Sequence, residues 1–281
     1  MTTRAPHRLA RLRLIATDVD GTLLTSDRTI SPRTLAAFEA AHDRGVLVMP
    51  ISGRQPFSID EMVAGTVLQG PAVGANGAVG CDLRTDEVFF EDTLPVDAQT
   101  ELVTRMREAV PGTRCVSVRD AGRTFVPEHG YVGLMDPGDH GRAELTLPEY
   151  DLAEVLARPS LKLILRHDTV SEDALLAVAL ELAVPGCHVT TSGAPFVEVS
   201  AEGVTKESGL EQMCARFGIA ASEVLAFGDN RNDVEMLRWV GHGVAMGNGL
   251  PEALEAADEV TASHDDDGIA LVIERVLAEQ D

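Results

Sequence analysis

Two carboxylates separated by one residue end the first apolar run of the chain, in Asp18-Val19-Asp20-Gly21-Thr22. Gly21 lets the chain turn, so that both acids can face the same cleft. A carboxylate can carry a phosphoryl group covalently, and the acyl phosphate is labile enough for water to cleave. Asp20 could then protonate the leaving oxygen and deprotonate the incoming water. Because such pairs also occur in structural turns, this interpretation depends on partners elsewhere in the chain.

A second acidic segment, residues 228–233, follows the apolar run Val-Leu-Ala-Phe and contains Asp229. If Asp18, Asp20 and Asp229 came together, they would repel one another unless a hard cation neutralised them. Mg²⁺ binds in proteins through a few carboxylates together with substrate phosphate oxygens. The repulsion among these carboxylates therefore predicts a bound Mg²⁺. The alternative is that the acidic residues are an ordinary favourable cap at the start of a helix.

Two further segments offer groups that could bind phosphate. Ser52-Gly53-Arg54 follows the apolar run Val-Leu-Val-Met-Pro-Ile, and a hydroxyl with a backbone N–H at a strand-to-helix junction makes a neutral phosphate cradle. Lys206 begins a predicted helix, where the helix dipole disfavours a cation, so a phosphate-facing role would explain its placement. A simple helix cap and a solvated surface lysine are the alternatives for these two segments.

The elements that must position these groups alternate between strands and helices. Strands predicted at 12–19, 46–51 and 71–74 are separated by helices over 31–45 and near 57–63, which implies right-handed crossovers in a parallel sheet. In such sheets ligands bind at the carboxyl ends of the strands, where the motifs lie. After residue 82 the alternation of strands and helices becomes irregular, with acidic helices predicted at 97–110 and 171–183. The alternation then resumes, with a helix at 206–217, a strand at 224–227, a helix at 233–240 and a strand at 243–246.

This pattern predicts an α/β protein with a Rossmann-like doubly wound parallel sheet and an inserted α+β domain. The predicted catalytic core comprises residues 1–82 and 196–281, and the predicted inserted unit comprises residues 83–195. Loops of the inserted unit would close over the motifs and exclude water.

In order and spacing, these segments resemble the four motifs of the haloacid dehalogenase (HAD) superfamily, specifically its Cof-type phosphatases with a C2-type (C2B) cap. The first acidic pair is similar to motif I, residues 52–54 to motif II, Lys206 to motif III and residues 228–233 to motif IV. The resemblance covers the whole chain. Val19 and Ser52 stand where leucine and threonine are common in the family, and neither departure changes the chemistry.

The resemblance implies a hydrolase that removes phosphate from a small phosphorylated metabolite, with sugar phosphates as the family default. Asp18 would be the nucleophile and Asp20 the general acid/base. Mg²⁺ would be held by Asp18, Asp229 and the backbone carbonyl of Asp20. The remaining implied roles are phosphate binding by Val19, Ser52, Gly53, Lys206 and Asn232, orientation by Asp233, and candidate substrate contacts at Arg54 and Asn76.

Composition limits the partners. The chain has 281 residues with 23 basic and 45 acidic side chains, a net charge of -22, which disfavours nucleic acid and anionic membranes as partners. Four scattered cysteines suggest reduced thiols rather than zinc or disulfides. No apolar run approaches the roughly 20 residues that span a bilayer. We therefore expect a cytoplasmic monomer or homodimer.

Two alternatives stay open. A sugar phosphomutase of the same superfamily would form the same covalent intermediate and pass the phosphoryl group to a second hydroxyl instead of water. A non-catalytic phosphate-binding protein could use the same acidic pocket, but it would have no use for an acid at Asp20 positioned to expel a leaving group.

Overall fold

A parallel sheet and an antiparallel sheet organise the chain. The computed structural model describes residue 9, residues 11–136 and residues 147–280. The strands of this part are, in chain order, β1 (Leu14–Thr17), β2 (Leu47–Pro50), β3 (Pro71–Gly74), β4 (Val79–Asp82), β5 (Glu87–Glu91), β6 (Arg114–Arg119), β7 (Thr124–Pro127), β8 (Lys162–Arg166), β9 (Cys187–Thr190), β10 (Val197–Ala201), β11 (Val224–Gly228), β12 (His242–Ala245) and β13 (Glu259–Val260). The α-helices are α1 (Pro32–Asp43), α2 (Pro56–Val63), α3 (Val96–Ala109), α4 (Leu152–Val155), α5 (Glu172–Leu182), α6 (Lys206–Phe217), α7 (Val234–Trp239), α8 (Pro251–Ala256) and α9 (Gly268–Glu279).

The parallel sheet has the strand order β13-β12-β11-β1-β2. A parallel bridge between Ile51 and Val73 brings β3 beside β2. Alternate side chains of β1 enter different cores: Ile15 packs with Phe38 of α1 and Ile273 of α9, whereas Leu14 packs with Leu210 of α6. Helices thus cover both faces of the sheet, and the predicted doubly wound α/β class is confirmed.

Local signals explain why these elements begin and end where they do. Ser31 accepts a hydrogen bond from the Thr34 N–H and caps α1, and Pro32 occupies the first turn, where a missing N–H costs nothing. Gly218, with a φ of 63°, ends α6 in the left-handed region that glycine tolerates. The predicted helix at 206–217 is confirmed residue for residue.

The antiparallel sheet has the strand order β7-β6-β8-β10-β9. Helices α3 and α5 cover one of its faces, where Leu102, Leu163 and Leu175 belong to one buried cluster. Lys162 and Glu198 occupy strand positions that alternate with those buried residues, and both line the cleft between the two sheets. The second face of this sheet therefore lies over the ends of the parallel strands.

Strand pairing bears on the predicted domain borders at 83 and 196. Strand β5 pairs with β4, which pairs with β3, and Phe89 and Phe90 pack against the cluster that contains Leu210. Strand β10 pairs with β8 and β9 of the antiparallel sheet. The borders stay a proposal, and this pairing favours placing them near residues 92 and 202.

Among the described residues, no helix is both long and apolar enough to cross a membrane.

Candidate active site

The predicted motifs meet at one edge of the parallel sheet. Asp18 directly follows β1, Ser52 lies two residues beyond β2, and Asp229 directly follows β11. Because these three strands are parallel neighbours, their carboxyl ends lie side by side. The sheet therefore brings together groups that are far apart in the sequence.

A buried acidic cluster with a lysine at its centre forms this edge. One carboxylate oxygen from each of Asp18, Asp229 and Asp233 lies within 4.8 Å of the other two. Lys206 Nζ donates to Asp18 Oδ1 at 2.6 Å and to Asp233 Oδ1 at 2.6 Å, and its side chain is 1% exposed. The lysine at the start of α6 is therefore an interior cation rather than a solvated one.

The crowded charges perturb the acid–base properties of the cluster. Burial raises the pKa of Asp18 well above its usual range, the nearby carboxylates of Asp233 and Asp229 raise it further, and the Lys206 ammonium opposes them. Burial and Asp233 raise the pKa of Asp229 to about 6. Burial disfavours the charge on Lys206, but Asp18 and Asp233 outweigh it and raise its pKa. Three acids thus share one cation, and holding all three as carboxylates is unfavourable unless a proton or a further cation neutralises them.

The carboxylate oxygens of this cluster fit a divalent metal ion. Asp233 is fully engaged, since Oδ1 accepts from Lys206 and Oδ2 accepts from the backbone N–H groups of Asp229 and Asn230. Asp18 Oδ1 is bound to Lys206 and Asp229 Oδ1 accepts from the Thr22 hydroxyl at 2.9 Å, and the Asp18 and Asp229 carboxyl groups also lie within hydrogen-bond distance of each other. A hard cation takes such carboxylate oxygens and would relieve their repulsion.

Because Gly21 has no side chain, the Asp229 carboxylate can lie directly beside it. The Gly21 φ of 77° lies in the left-handed region, and a Cβ at this position would be 2.5 Å from Asp229 Oδ2. A side chain at position 21 would thus push the carboxylate away from Asp18 and strain the backbone. This glycine brings the first and last motifs into contact.

Asp20 is held apart from the buried cluster by an arginine. Arg54 donates from Nε to Asp20 Oδ2 and from Nη2 to Asp20 Oδ1, both at 2.6 Å, in a two-point ion pair. The side chain of Asp20 is 45% exposed and lines the cleft. The same guanidinium donates from Nη1 to Ser58 Oγ of α2 at 3.0 Å, which fixes its direction.

Backbone and amide groups surround the phosphate-binding candidates. The N–H groups of Val19 and Gly53 have no acceptor among the described residues, and Ser52 Oγ accepts from the Arg54 N–H at 3.2 Å. Asn232 Nδ2 donates to Asn76 Oδ1 at 2.9 Å, while Asn232 Oδ1 is buried without a partner in the described part of the chain. Several donors are therefore free to bind an anion here.

A cleft of about 410 Å³ opens over these groups. Its floor includes Asp18, Asp20 and Asp229, and its roof includes Lys162, Phe196 and Glu198 from the antiparallel sheet and the segment before β10. A volume of this size accommodates a small metabolite.

Most of the site candidates named from the sequence gather around this cleft. The structure brings together Asp18, Asp20, Asp229, Asp233, Ser52, Gly53, Arg54, Lys206, Asn76 and Asn232 through the contacts above. Val19 contributes its backbone, because its side chain is fully buried. Arg54 contacts Asp20 and also lines the cleft, so its predicted substrate contact stays a prediction, and Asn76 contacts Asn232.

Sequence reasoning missed Lys162, Glu198 and Thr22. Lys162 lies within the apolar segment Leu-Lys-Leu-Ile-Leu and Glu198 within Val-Glu-Val, where a charged residue at an alternate strand position is usually solvent-exposed. Both side chains are buried instead. Charged residues inside otherwise apolar strands were the signal that could have identified them.

Comparison with known proteins decides the family. The family described as haloacid dehalogenase-like hydrolase matches residues 15–273. The chain belongs to the haloacid dehalogenase-like hydrolase family. The resemblance stated from the motifs is therefore confirmed.

Two relatives of this HAD hydrolase are phosphatases by name. The 5-amino-6-(5-phospho-D-ribitylamino)uracil phosphatase YitU of Bacillus subtilis (strain 168) is 29% identical over 261 residues, which cover 92% of this chain and 94% of YitU. The HMP-PP phosphatase of Serratia proteamaculans (strain 568) is 30% identical over 245 residues, which cover 85% of each chain. The predicted enzyme class, a phosphoric monoester hydrolase, is thus confirmed.

A solved structure supports the same fold for this HAD hydrolase. The HAD subclass IIB sugar phosphatase BT4131 superimposes with a TM-score of 0.78 at 25% identity, covering 94% of this chain and 98% of BT4131. The similarity extends over both sheets.

Proposed function

We propose that this HAD phosphatase is Mg²⁺-dependent and removes phosphate from a small, sugar phosphate-like metabolite through an aspartyl-phosphate on Asp18. The observation that carries the proposal is the contact of Asp18 with Lys206 beside Asp229, at the floor of a cleft sized for a metabolite. The name of BT4131, a sugar phosphatase, favours the same substrate class.

In the first step, the Asp18 carboxylate attacks phosphorus while Asp20 gives a proton to the ester oxygen, which leaves as an alcohol. In the second step, water attacks the phosphorus of the aspartyl-phosphate and Asp20 takes the proton from that water. Inorganic phosphate leaves and Asp18 is regenerated as a carboxylate. These two reaction steps need no proton acceptor other than Asp20.

Asp20 must release one oxygen from Arg54 before it can reach the leaving group. The two-point pair holds both oxygens of Asp20 in the structure. The remaining bond would keep the carboxyl directed into the cleft while its other oxygen exchanges a proton. Arg54 is therefore proposed to position the acid rather than to bind the substrate.

The proposed phosphate contacts are the N–H groups of Val19 and Gly53, the Ser52 hydroxyl, Lys206 Nζ and the Asn232 amide. Neutral donors and one cation suit a phosphate that must arrive at a cluster of acids. Asp233 is proposed to fix Lys206 in place, because it accepts from the same Nζ that donates to Asp18.

Mg²⁺ would be held by Asp18, Asp229 and the backbone carbonyl of Asp20. When bound, it would neutralise the negative charge of the acids and of the phosphoryl oxygens. Thr22 and Gly21 set the position of Asp229 for this role.

The test is p-nitrophenyl phosphate hydrolysis by Asp18→Asn and wild type, each with Mg²⁺ or with excess EDTA. We expect activity only in wild type with Mg²⁺, with unchanged circular dichroism in the variant. Near wild-type turnover by Asp18→Asn, or full activity in EDTA after dialysis, would contradict the mechanism.

A second measurement separates the phosphatase from a mutase. Wild type is incubated with glucose 1-phosphate and glucose 6-phosphate, and free phosphate and both isomers are followed together. We expect free phosphate and no interconversion, whereas stoichiometric isomerisation without free phosphate would favour the mutase.

Asp20→Asn should slow hydrolysis by about 10²–10⁴-fold with little change in phosphate binding.

We propose that the unit containing the antiparallel sheet determines which metabolite is accepted, since it forms the roof of the cleft.

A further inference from the structure

Three successive carbonyl groups of the loop Ser52–Arg54 each accept a hydrogen bond. The Asn76 N–H donates to Ser52 O at 3.0 Å, and the Ala75 N–H donates to Arg54 O at 2.8 Å. The middle carbonyl, Gly53 O, accepts from Lys162 Nζ at 2.6 Å. Two of these donors belong to the loop after β3, while the third reaches across the cleft from the antiparallel sheet.

The lysine that makes this contact is a buried ion. Lys162 is 3% exposed, and its Nζ lies 2.5 Å from Oε1 of Glu198, which is 2% exposed. Burying an ion pair is seldom a gain in stability, because the cost of desolvation offsets the attraction. Its position at the roof of the cleft, against a carbonyl of the phosphate loop, suggests a task other than stability.

The peptide between Gly53 and Arg54 connects this lysine to a hydroxyl. Its oxygen accepts from Lys162, and its N–H donates to Ser52 Oγ at 3.2 Å. A cation on the carbonyl polarises the peptide and strengthens the bond made by its N–H. A hydroxyl that accepts on one side directs its own hydrogen elsewhere, and here the free side borders the cleft.

We propose that Lys162, with Glu198 as its counter-ion, is a positioning residue for the phosphate site. It fixes the 53–54 peptide so that the Ser52 hydroxyl and the Gly53 N–H meet the phosphate together. This inference rests on the proposed function for the roles of Ser52 and Gly53 in phosphate binding.

The packing around Gly53 supports a fixed peptide. A Cβ on Gly53 would lie 2.9 Å from Asn76 Oδ1 and 3.4 Å from both carboxylate oxygens of Glu198. The loop is therefore enclosed by a core asparagine on one side and the ion pair of the other sheet on the other side. Loss of the lysine would free the one carbonyl of the three that a side chain holds.

The experiment measures the affinity for inorganic phosphate, with Mg²⁺ present, by calorimetry and as competitive inhibition of p-nitrophenyl phosphate hydrolysis. The variants are Lys162→Met and the double variant Lys162→Met/Glu198→Gln, which leaves no unpaired buried carboxylate. We expect about tenfold weaker phosphate binding in both, the scale of one lost charge-assisted hydrogen bond. KM should rise with kcat little changed, since phosphate binding is lost equally in the ground and transition states.

Arg119→Met is the matched control. Arg119 is a buried cation of the same sheet, and its Nη2 donates to the backbone carbonyl of Val155 at 2.5 Å, away from the cleft. We expect this variant to lower thermal stability while KM and phosphate affinity stay at wild-type values. A purely structural role for Lys162 would give the same result as Arg119.

The outcomes separate this inference from the proposed function. Hydrolysis by wild type tests the function, and the ratio of variant to wild-type phosphate affinity tests the positioning role. A folded double variant that binds phosphate as tightly as an active wild type would overturn the positioning role alone. A wild type that neither hydrolyses nor binds phosphate would overturn both.

Discussion

Lys206 shows at the scale of a residue how burial converts an ordinary side chain into part of the site. A lysine at a helix start opposes the helix dipole, yet here it is enclosed between Asp18 and Asp233. We expect Lys206→Ala to lower the free energy of unfolding by about 3–5 kcal/mol, because it leaves buried carboxylates without their cation. Urea unfolding of the metal-free protein measures this.

The same variant should lose measurable phosphate binding in the presence of Mg²⁺. If Lys206 were a solvated surface residue, replacing it would change neither the free energy of unfolding nor the affinity for phosphate. Wild-type values for both would therefore contradict the interior role.

Glu198 provides a prediction for the dependence of stability on pH. Burial works against its charge, but Lys162, Ser192 and Asn76 outweigh burial and lower the pKa of Glu198. A carboxyl whose folded pKa is lowered stabilises the fold above its unfolded pKa, near 4.5, and loses this contribution as pH falls through the folded pKa. The unfolding free-energy difference between wild type and Glu198→Gln should therefore shrink below that pH.

Urea titrations at a series of pH values from about 7 to about 3 check this prediction. A difference that grows on acidification would mean that the pKa of Glu198 is higher in the folded protein than in the unfolded chain.

At the scale of elements, the cap at the start of α6 holds the first turn, which carries Lys206. The Thr205 side chain accepts from the Ser208 N–H, and the Ser208 side chain accepts from the Thr205 N–H, so each residue caps the other. Thr205→Ala should cost about 1 kcal/mol of stability and also reduce kcat/KM, since the first turn that holds the lysine loosens.

Ser171→Ala is the control, because Ser171 caps α5 of the other unit through the Ala174 N–H. We expect a similar loss of stability with unchanged kcat/KM. Equal kinetic effects of the two variants would show that the cap at Thr205 has no specific link to the site.

The sequence predicted elements well where local signals and burial agree. Parallel strands are apolar along their whole length, and the caps at Ser31 and Gly218 mark helix ends, so the alternation of the core could be anticipated. The gathering of the acids was expected from their places at the carboxyl ends of strands, whereas the adjacency of β1, β2 and β11 that brings them together is seen only in the structure. Lys162 and Glu198 could not be placed, because the partner of each lies on another strand and local patterns carry no information on pairing between distant strands.

At the scale of the whole molecule, the net charge of -22 makes the folded chain repel itself. Raising ionic strength from about 0.01 M to about 0.15 M shortens the screening length from about 30 Å to about 8 Å. We expect the melting temperature of the metal-free protein to rise over this range, and kcat/KM for an anionic substrate to rise as well.

Differential scanning fluorimetry and initial rates measure the two effects. NaCl and KCl should act alike, because screening depends on ionic strength rather than on the identity of the ion. A falling melting temperature would show that the surface ion pairs outweigh the general repulsion.

The bond from Lys162 to the Gly53 carbonyl also limits how such enzymes can be recombined. A chimera that receives its roof from a different parent would keep the parallel sheet and its acids, and could thereby acquire another substrate range. The Gly53 carbonyl of the parallel-sheet unit would nevertheless lose its hydrogen bond, unless the donor segment supplied an ammonium or an equivalent group at the position of Lys162. Grafted roofs should therefore be chosen first by that single contact and only then by the shape of the space they enclose.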